Sequence, residues 1–201
     1  RYTLEEHANT LHIDLSAMAD GDTIINLTNH TYFNLEGEDS GSVLDHALWL
    51  GYGYYMPTDE TLTPHLMPDP VLGTPMDFTV AKTIGRDMGA DFPALRYGKG
   101  YDNAWVDLPD TPATLRTVAC LVAPTSGIML EVDTDQPCLH VYTGNWLANS
   151  PLSKSGRSYN DYDGVAFECQ RRPDAPNNQQ WPDGILRQGE LYKQQIVFRL
   201  S

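Results

Sequence analysis

Glycine and proline, 16 and 14 of 201 residues, break this chain every ten to twenty positions. The runs between them alternate apolar and polar side chains with period two rather than 3.6. That punctuation leaves no room for long helices and favours many short strands. The clearest expected strands are 11–15, 24–29, 104–108, 114–122, 128–132, 139–142, 165–169 and 194–200. Long irregular stretches are expected at 57–77, 149–163 and 171–189, where Pro, Asp, Ser, Asn and Gln collect; loops of that length in a compact domain are usually functional or disordered. The expected fold class is all-β: a twisted antiparallel β-sandwich forming a single domain over 1–201, with long loops at its rim. Residues 1–4 lack an initiator methionine and read as the middle of a strand. The chain is therefore expected to be a fragment whose first strand has lost its natural neighbour, leaving an open edge.

Charge narrows the function classes. With 27 acidic against 13 basic residues the formal net charge is −14, which repels phosphate backbones and anionic membranes, so no nucleic acid and no membrane partner is expected. No apolar run approaches the ~20 residues of a membrane helix, and the N-terminus does not resemble a signal peptide. A soluble, cytoplasmic protein is expected. Cys120, Cys138 and Cys169 are odd in number and widely spaced within strand-like runs, which points to reduced, buried thiols rather than a disulfide framework or zinc site. His7, His12, His46 and His65 show no metal-ligand spacing, so no metal is expected. The sequons at Asn26 and Asn29 fall inside a strand-like run, where a glycan would disrupt packing, and are read as coincidental.

Two runs carry the most chemistry. The first, residues 26–35, sets His30 among polar and aromatic residues; the second, residues 164–174, places Glu168 in an otherwise apolar strand. Alternation puts Val165, Phe167 and Cys169 on one face and Ala166, Glu168 and Gln170 on the other. A solvated surface glutamate is the commoner reading of such a position; a partly desolvated one is a candidate general base. A lone histidine beside Tyr32 and Phe33 is more often structural, yet a histidine can donate a proton near neutral pH with little adjustment. Held on rigid strands, the two would offer an acid and a base on opposite sides of a small substrate. Asp102, between Tyr101 and Trp105, is either a turn residue or a carboxylate suited to sugar hydroxyls, with aromatic rings for the apolar face of a pyranose. The run from His140 through Tyr142 to Trp146 offers a similar mix. No nucleophile elbow, phosphate-cradling loop or dinucleotide fingerprint is present.

Six motifs in order resemble the aldose 1-epimerase (galactose mutarotase) family: NLTNHTYFNL at 26–35, YMPTD at 55–59 followed by Leu62, GTPMDF at 73–78, GYD at 100–102, QP at 136–137 with YTGN at 142–145, and ECQ at 168–170 with PD at 173–174. The resemblance implies a β-sandwich of the galactose mutarotase type and interconversion of the α and β anomers of free aldohexoses such as galactose and glucose, without a cofactor. It implies Glu168 as general base on the anomeric hydroxyl, His30 as acid on the ring oxygen, and Asp102 as a holder of sugar hydroxyls. His140 aligns with a sugar-contacting glutamine and Asn103 with a residue that is usually histidine. Family members also carry an N-terminal half of similar size, with an arginine and a histidine that contact the sugar. This chain lacks it, so an incomplete sandwich is expected, associating with its own N-terminal half or forming a homo-oligomer. The alternatives are a catalytically silent carbohydrate-binding or regulatory module, a sugar-phosphate mutarotase using the basic pair Arg171 and Arg172, and a glycoside hydrolase pairing Asp102 with Glu168.

Overall fold

The structure, a computed structural model, describes residues 1–108 and 114–201. Its strands in chain order are β1 (Tyr2–Leu4), β2 (Thr10–Met18), β3 (Thr23–Ile24), β4 (Tyr32–Phe33), β5 (Ala47–Leu50), β6 (Tyr54–Tyr55), β7 (Asp69–Pro70), β8 (Lys82–Thr83), β9 (Asp102–Val106), β10 (Arg116–Val122), β11 (Met129–Thr134), β12 (Cys138–Tyr142), β13 (Val165–Gln170), β14 (Ile185–Leu186) and β15 (Leu191–Leu200). One short helix, α1 (Pro93–Gly98), precedes β9 and ends at Lys99 in the left-handed region, φ 57°. Among the described residues no helix is long and apolar enough to cross a membrane.

The strands form a seven-stranded sheet in the order β1-β2-β15-β11-β10-β5-β8 and a six-stranded sheet in the order β4-β13-β12-β9-β6-β7, with β14 and β3 as a separate ribbon. All neighbours are antiparallel. The two large sheets face each other across one core. Ile13, Leu50, Leu121, Val132 and Ile196 from the first meet Trp105, Leu139, Val141, Val165 and Phe167 from the second. The antiparallel β-sandwich expected from the alternation is what the chain forms. The expected strands correspond to β2, β9, β10, β11, β12, β13 and β15, with ends displaced by a few residues.

The exception is 24–29. Only Thr23 and Ile24 pair as β3, and residues 25–31 run as irregular backbone. Asparagine side chains take over the role of the ladder there. Asn26 Nδ2 donates to the Arg171 carbonyl at 3.2 Å, and Asn26 Oδ1 accepts the Arg171 N–H at 2.9 Å. Asn29 Oδ1 accepts the Thr31 N–H at 3.1 Å, an Asx turn that ends strand geometry. His30 therefore sits on an anchored loop and not on a strand. The stretches 57–77 and 171–189 are less irregular than their composition implies, since β7 pairs with β6 and β14 with β3. β1 pairs with β2 and lies at the outer edge of its sheet. Cys138 and Cys169 are buried, and Cys120 is half-buried.

Two buried polar groups yield predictions. Lys82 on β8 has its side chain 1% exposed. Its Nζ donates to Asp87 Oδ2 and to the Pro75 carbonyl, both at 2.6 Å, and lies 4.2 Å from the centre of the Phe78 ring. Asp87→Asn leaves that ammonium without its counter-charge and is expected to cost about 2–3 kcal/mol in urea unfolding, below the ~3–5 kcal/mol of a fully buried pair because Asp87 is partly exposed. Adding Lys82→Met should recover most of the loss; an unchanged midpoint in Asp87→Asn would show that Pro75 and Phe78 suffice.

His46 is buried and its Nε2 accepts the Leu35 N–H at 3.2 Å. Burial pushes its pKa below the ordinary value. Because the unfolded chain then binds the proton more readily, this contribution is complete above about pH 6.5 and is lost as pH falls from there toward the folded pKa. Carboxylates held low, such as Asp77 by the Thr79 hydroxyl and Asp87 by Lys82, lose their contribution only at more acid pH. The denaturation midpoint is therefore expected to drop more between pH 7.5 and 5.5 in the parent than in His46→Gln; equal drops would refute the role of His46.

Candidate functional site

The outward face of the six-stranded sheet collects the residues of interest because register aligns them in rows. Glu168 on β13 lies opposite His140 on β12, and His140 opposite Ala104 on β9. One row along, Tyr32 on β4 lies opposite Ala166, Ala166 opposite Tyr142, and Tyr142 opposite Asp102. The alanines add little bulk, so larger side chains stand around a shallow floor. The other face of these strands carries Phe167, Val141 and Trp105 into the core, which fixes which residues point outward.

Two histidine–carboxylate contacts stand on this face. His30 Nε2 is 3.3 Å from Glu168 Oε1, and His140 Nε2 is 2.8 Å from Asp102 Oδ1. Glu168 is the most secluded of the four, its side chain 14% exposed, against 49% for His30. The reading of Glu168 as a freely solvated surface glutamate is thereby overturned. Residues 164–174 and the loop that carries His30 are tied together by the Asn26–Arg171 hydrogen bonds described above. Nearly 140 residues apart in sequence, the two groups meet because β4 pairs with β13 immediately after that loop. They touch one another directly rather than flanking an open gap.

Aromatic rings frame the pair. The His30 ring lies 5.0 Å from Tyr32 and 6.3 Å, edge-on, from Tyr142, while the two tyrosines are 6.0 Å apart. Burial, reinforced by Tyr142, Glu168 and Asp102, pushes the Tyr32 phenol up to about 12, so it remains a proton-bearing donor at neutral pH. The sequence points to Tyr142 only as part of the run from His140 to Trp146 and gives Tyr32 no role of its own. Period two along β12 is enough to place Tyr142 on the face of His140; the place of Tyr32 depends on a pairing between distant strands.

Asp102 is positioned from beneath. Gly100, at φ +141°, approaches Asn145 so closely that an added Cβ would lie 2.5 Å from its Oδ1. Asn145 is fully buried; its Nδ2 donates to the Gly98 carbonyl at 2.7 Å and to the Tyr101 carbonyl at 3.1 Å. The GYD and YTGN motifs thus meet as one brace at the start of β9. Asn103, by contrast, is buried on the opposite face and donates from Nδ2 to the Met56 carbonyl at 3.1 Å. Its departure from the usual family residue does not bring it into this face. Arg171 and Arg172 are both engaged by aromatic rings: Arg171 stacks on Tyr192 at 5.2 Å, and the buried Arg172 stacks on Trp181 at 4.7 Å while bonding the Asp107 carbonyl.

Chemically, the face offers a secluded carboxylate touching an imidazole, a second carboxylate–imidazole pair, and phenol rings. That set can move protons on, and hold, a small polyhydroxylated molecule.

The family model described as Aldose 1-epimerase matches residues 1–199. The chain is 40% identical over 197 residues to the aldose 1-epimerase of Haemophilus influenzae, covering 96% of this chain and 56% of that protein. It is 34% identical over 200 residues to the galactose mutarotase of Homo sapiens, covering 100% and 56%. Among solved structures, the aldose epimerase homologue from C. elegans superposes with a TM-score of 0.85 at 30% identity, covering 100% of this chain and 58% of that one. Galactose 1-epimerase from Lactobacillus acidophilus gives a TM-score of 0.83 at 30% identity, covering 100% and 55%. The chain spans about half the length of the curated relatives it matches.

Proposed function

The chain belongs to the aldose 1-epimerase family, and from that premise we propose that it interconverts the α and β anomers of free aldohexoses such as galactose and glucose. The observation that carries this reading is the Glu168–His30 contact at 3.3 Å on the face that also bears Asp102 and His140. Glu168 takes the proton of the anomeric hydroxyl while His30 gives one to the ring oxygen. The bond between the anomeric carbon and the ring oxygen breaks, leaving an open-chain aldehyde. After rotation about its first carbon–carbon bond, closure on the other carbonyl face returns both protons along the same routes. Opening moves one proton onto Glu168 and one off His30, and closing reverses both, so the pair ends each cycle as it began.

Asp102 accepts from sugar hydroxyls remote from the reacting carbon, and His140, bound to it at 2.8 Å, holds that carboxylate in place and shares the contact. Tyr32 and Tyr142 keep the His30 ring oriented. The chemistry requires no cofactor and no metal. A sugar-phosphate substrate is disfavoured because the guanidinium groups of Arg171 and Arg172 are already engaged by the rings of Tyr192 and Trp181.

Relatives are nearly twice as long, and the activity of a whole such protein is here ascribed to about half of its length. The test is polarimetry on freshly dissolved α-D-galactose with this chain at micromolar concentration, the spontaneous rate subtracted. Acceleration is the expected result; saturable galactose binding with no acceleration would replace this reading with that of a silent sugar-binding module.

A further inference from the structure

Tyr32 carries a hydroxyl that its packing does not use. The ring stands between that of His30, 5.0 Å away, and that of Tyr142, 6.0 Å away and edge-on. Behind it the backbone of Gly164 comes so close that an added Cβ would lie 3.2 Å from the Tyr32 Cβ and 3.6 Å from its Cδ1. A phenylalanine would make every one of these contacts. The hydroxyl takes no part in the polar contacts of this face, which run from His30 to Glu168, from His140 to Asp102 and from the Trp146 N–H to Tyr142. Register brings it near the chemistry all the same. Tyr32 pairs with Ala166 in the β4–β13 ladder, so Glu168, two positions on and on the same face, is its diagonal neighbour. Burial first, then Tyr142, Glu168 and Asp102 hold the phenol's proton in place, so the group is close enough to both carboxylates to feel their charge.

We propose that Tyr32 is a further catalytic residue, whose hydroxyl donates a hydrogen bond to the anomeric oxygen of the sugar. This rests on the reading that Glu168 takes the anomeric proton. As that proton leaves, negative charge builds on the anomeric oxygen until the ring bond breaks and the carbonyl forms. On closure the same oxygen gathers charge again as the ring hydroxyl attacks the carbonyl carbon and Glu168 hands its proton back. Glu168 is occupied with that proton in both directions, and His30 serves the ring oxygen, so neither also shelters the developing charge. Tyr32, next to both, is placed to do so. Its hydrogen stays on the phenol throughout: no covalent bond to it forms or breaks, and the protons carried by Glu168 and His30 are counted as before. A donor already fixed by its neighbours needs no rearrangement when the charge appears, which is the condition under which such a bond accelerates a reaction most.

The test sets Tyr32→Phe against the parent chain with D-galactose and with 1,5-anhydrogalactitol, the same ring without an anomeric oxygen. Mutarotation of galactose and of glucose is followed by polarimetry, and binding of galactose and of the anhydro sugar by titration calorimetry, which does not depend on turnover. Removing the hydroxyl is expected to lower kcat roughly 10–10²-fold for both aldohexoses, less than the ~10²–10³-fold of a dedicated oxyanion donor because Glu168 shares the oxygen. Galactose should bind roughly threefold more weakly, the size of one net hydrogen bond, and the anhydro sugar as tightly as before. A ring that only orients His30 is retained in Tyr32→Phe and would leave kcat unchanged; that result with an active parent would overturn the proposal while the proposed function stands. An equal loss of affinity for galactose and the anhydro sugar would overturn it as well. If the parent accelerates neither aldohexose and Tyr32→Phe still weakens galactose alone, the proposed function fails and the hydrogen bond to the anomeric oxygen stands.

Discussion

Glu168→Gln is expected to slow mutarotation of α-D-galactose by roughly 10²–10⁴-fold, the usual contribution of one positioned general base, while leaving the unfolding midpoint unchanged. The glutamine keeps the shape of the side chain and a polar atom facing His30, but it cannot accept the anomeric proton. Its neighbours on the core face, Val165, Phe167 and Cys169, are untouched, so packing survives. His30→Asn should produce a loss of similar order on the other half of the proton transfer. The double variant should be little worse than either single one, because acid and base act as a unit. Full activity in a folded Glu168→Gln would remove Glu168 from the reaction, and multiplicative losses in the double variant would mean that His30 and Glu168 serve separate steps.

Gly144→Ala is expected to be strongly damaging although it adds only a single methyl group near the site. Gly144 closes β12 at φ +66°, and a Cβ there would lie 2.6 Å from the Gly164 carbonyl oxygen and 2.7 Å from Leu147 Cδ1. The first obstacle is backbone and cannot swing aside. The left-handed conformation costs about 1–2 kcal/mol for an L-residue, and forced overlap typically adds about 1–3 kcal/mol. A total of about 3 kcal/mol corresponds to a fall of roughly 10 °C in Tm for a domain of this size. Gly156→Ala is the control: its φ of +79° is similar, but nothing lies within 4 Å of the added Cβ. It should lose about 1 kcal/mol. Because Gly144 joins the strand of His140 and Tyr142 to the turn that braces Asp102, its alanine variant should also lose activity at temperatures where it remains folded. Equal stabilities of the two variants would mean that β12 and β13 can part without cost.

Pro and Gly placement together with period-two alternation was sufficient for the sheets: β2, β9, β10, β11, β12, β13 and β15 lie where the pattern puts them, because alternation is a local property that a strand with one core face must show. The same alternation placed Glu168 on the face away from Phe167. It misled at 24–29, where the pattern is strand-like but asparagine side chains satisfy the backbone instead of a neighbouring strand. The site residues were legible one by one, as chemistry-bearing types in recognisable motifs. Their relations were not.

Only the tertiary structure decided that His30 touches Glu168, that His140 touches Asp102 and that Asn103 turns into the core. Each depends on which strands pair and in what register. β4 meets β13 across more than a hundred residues, and a slip of one position there would send Glu168 inward and Phe167 out. The sequence by itself determined the all-β class, the face each strand buries and the residue types available for proton transfer. Distances, seclusion and partnership arose from long-range pairing, which no local pattern encodes.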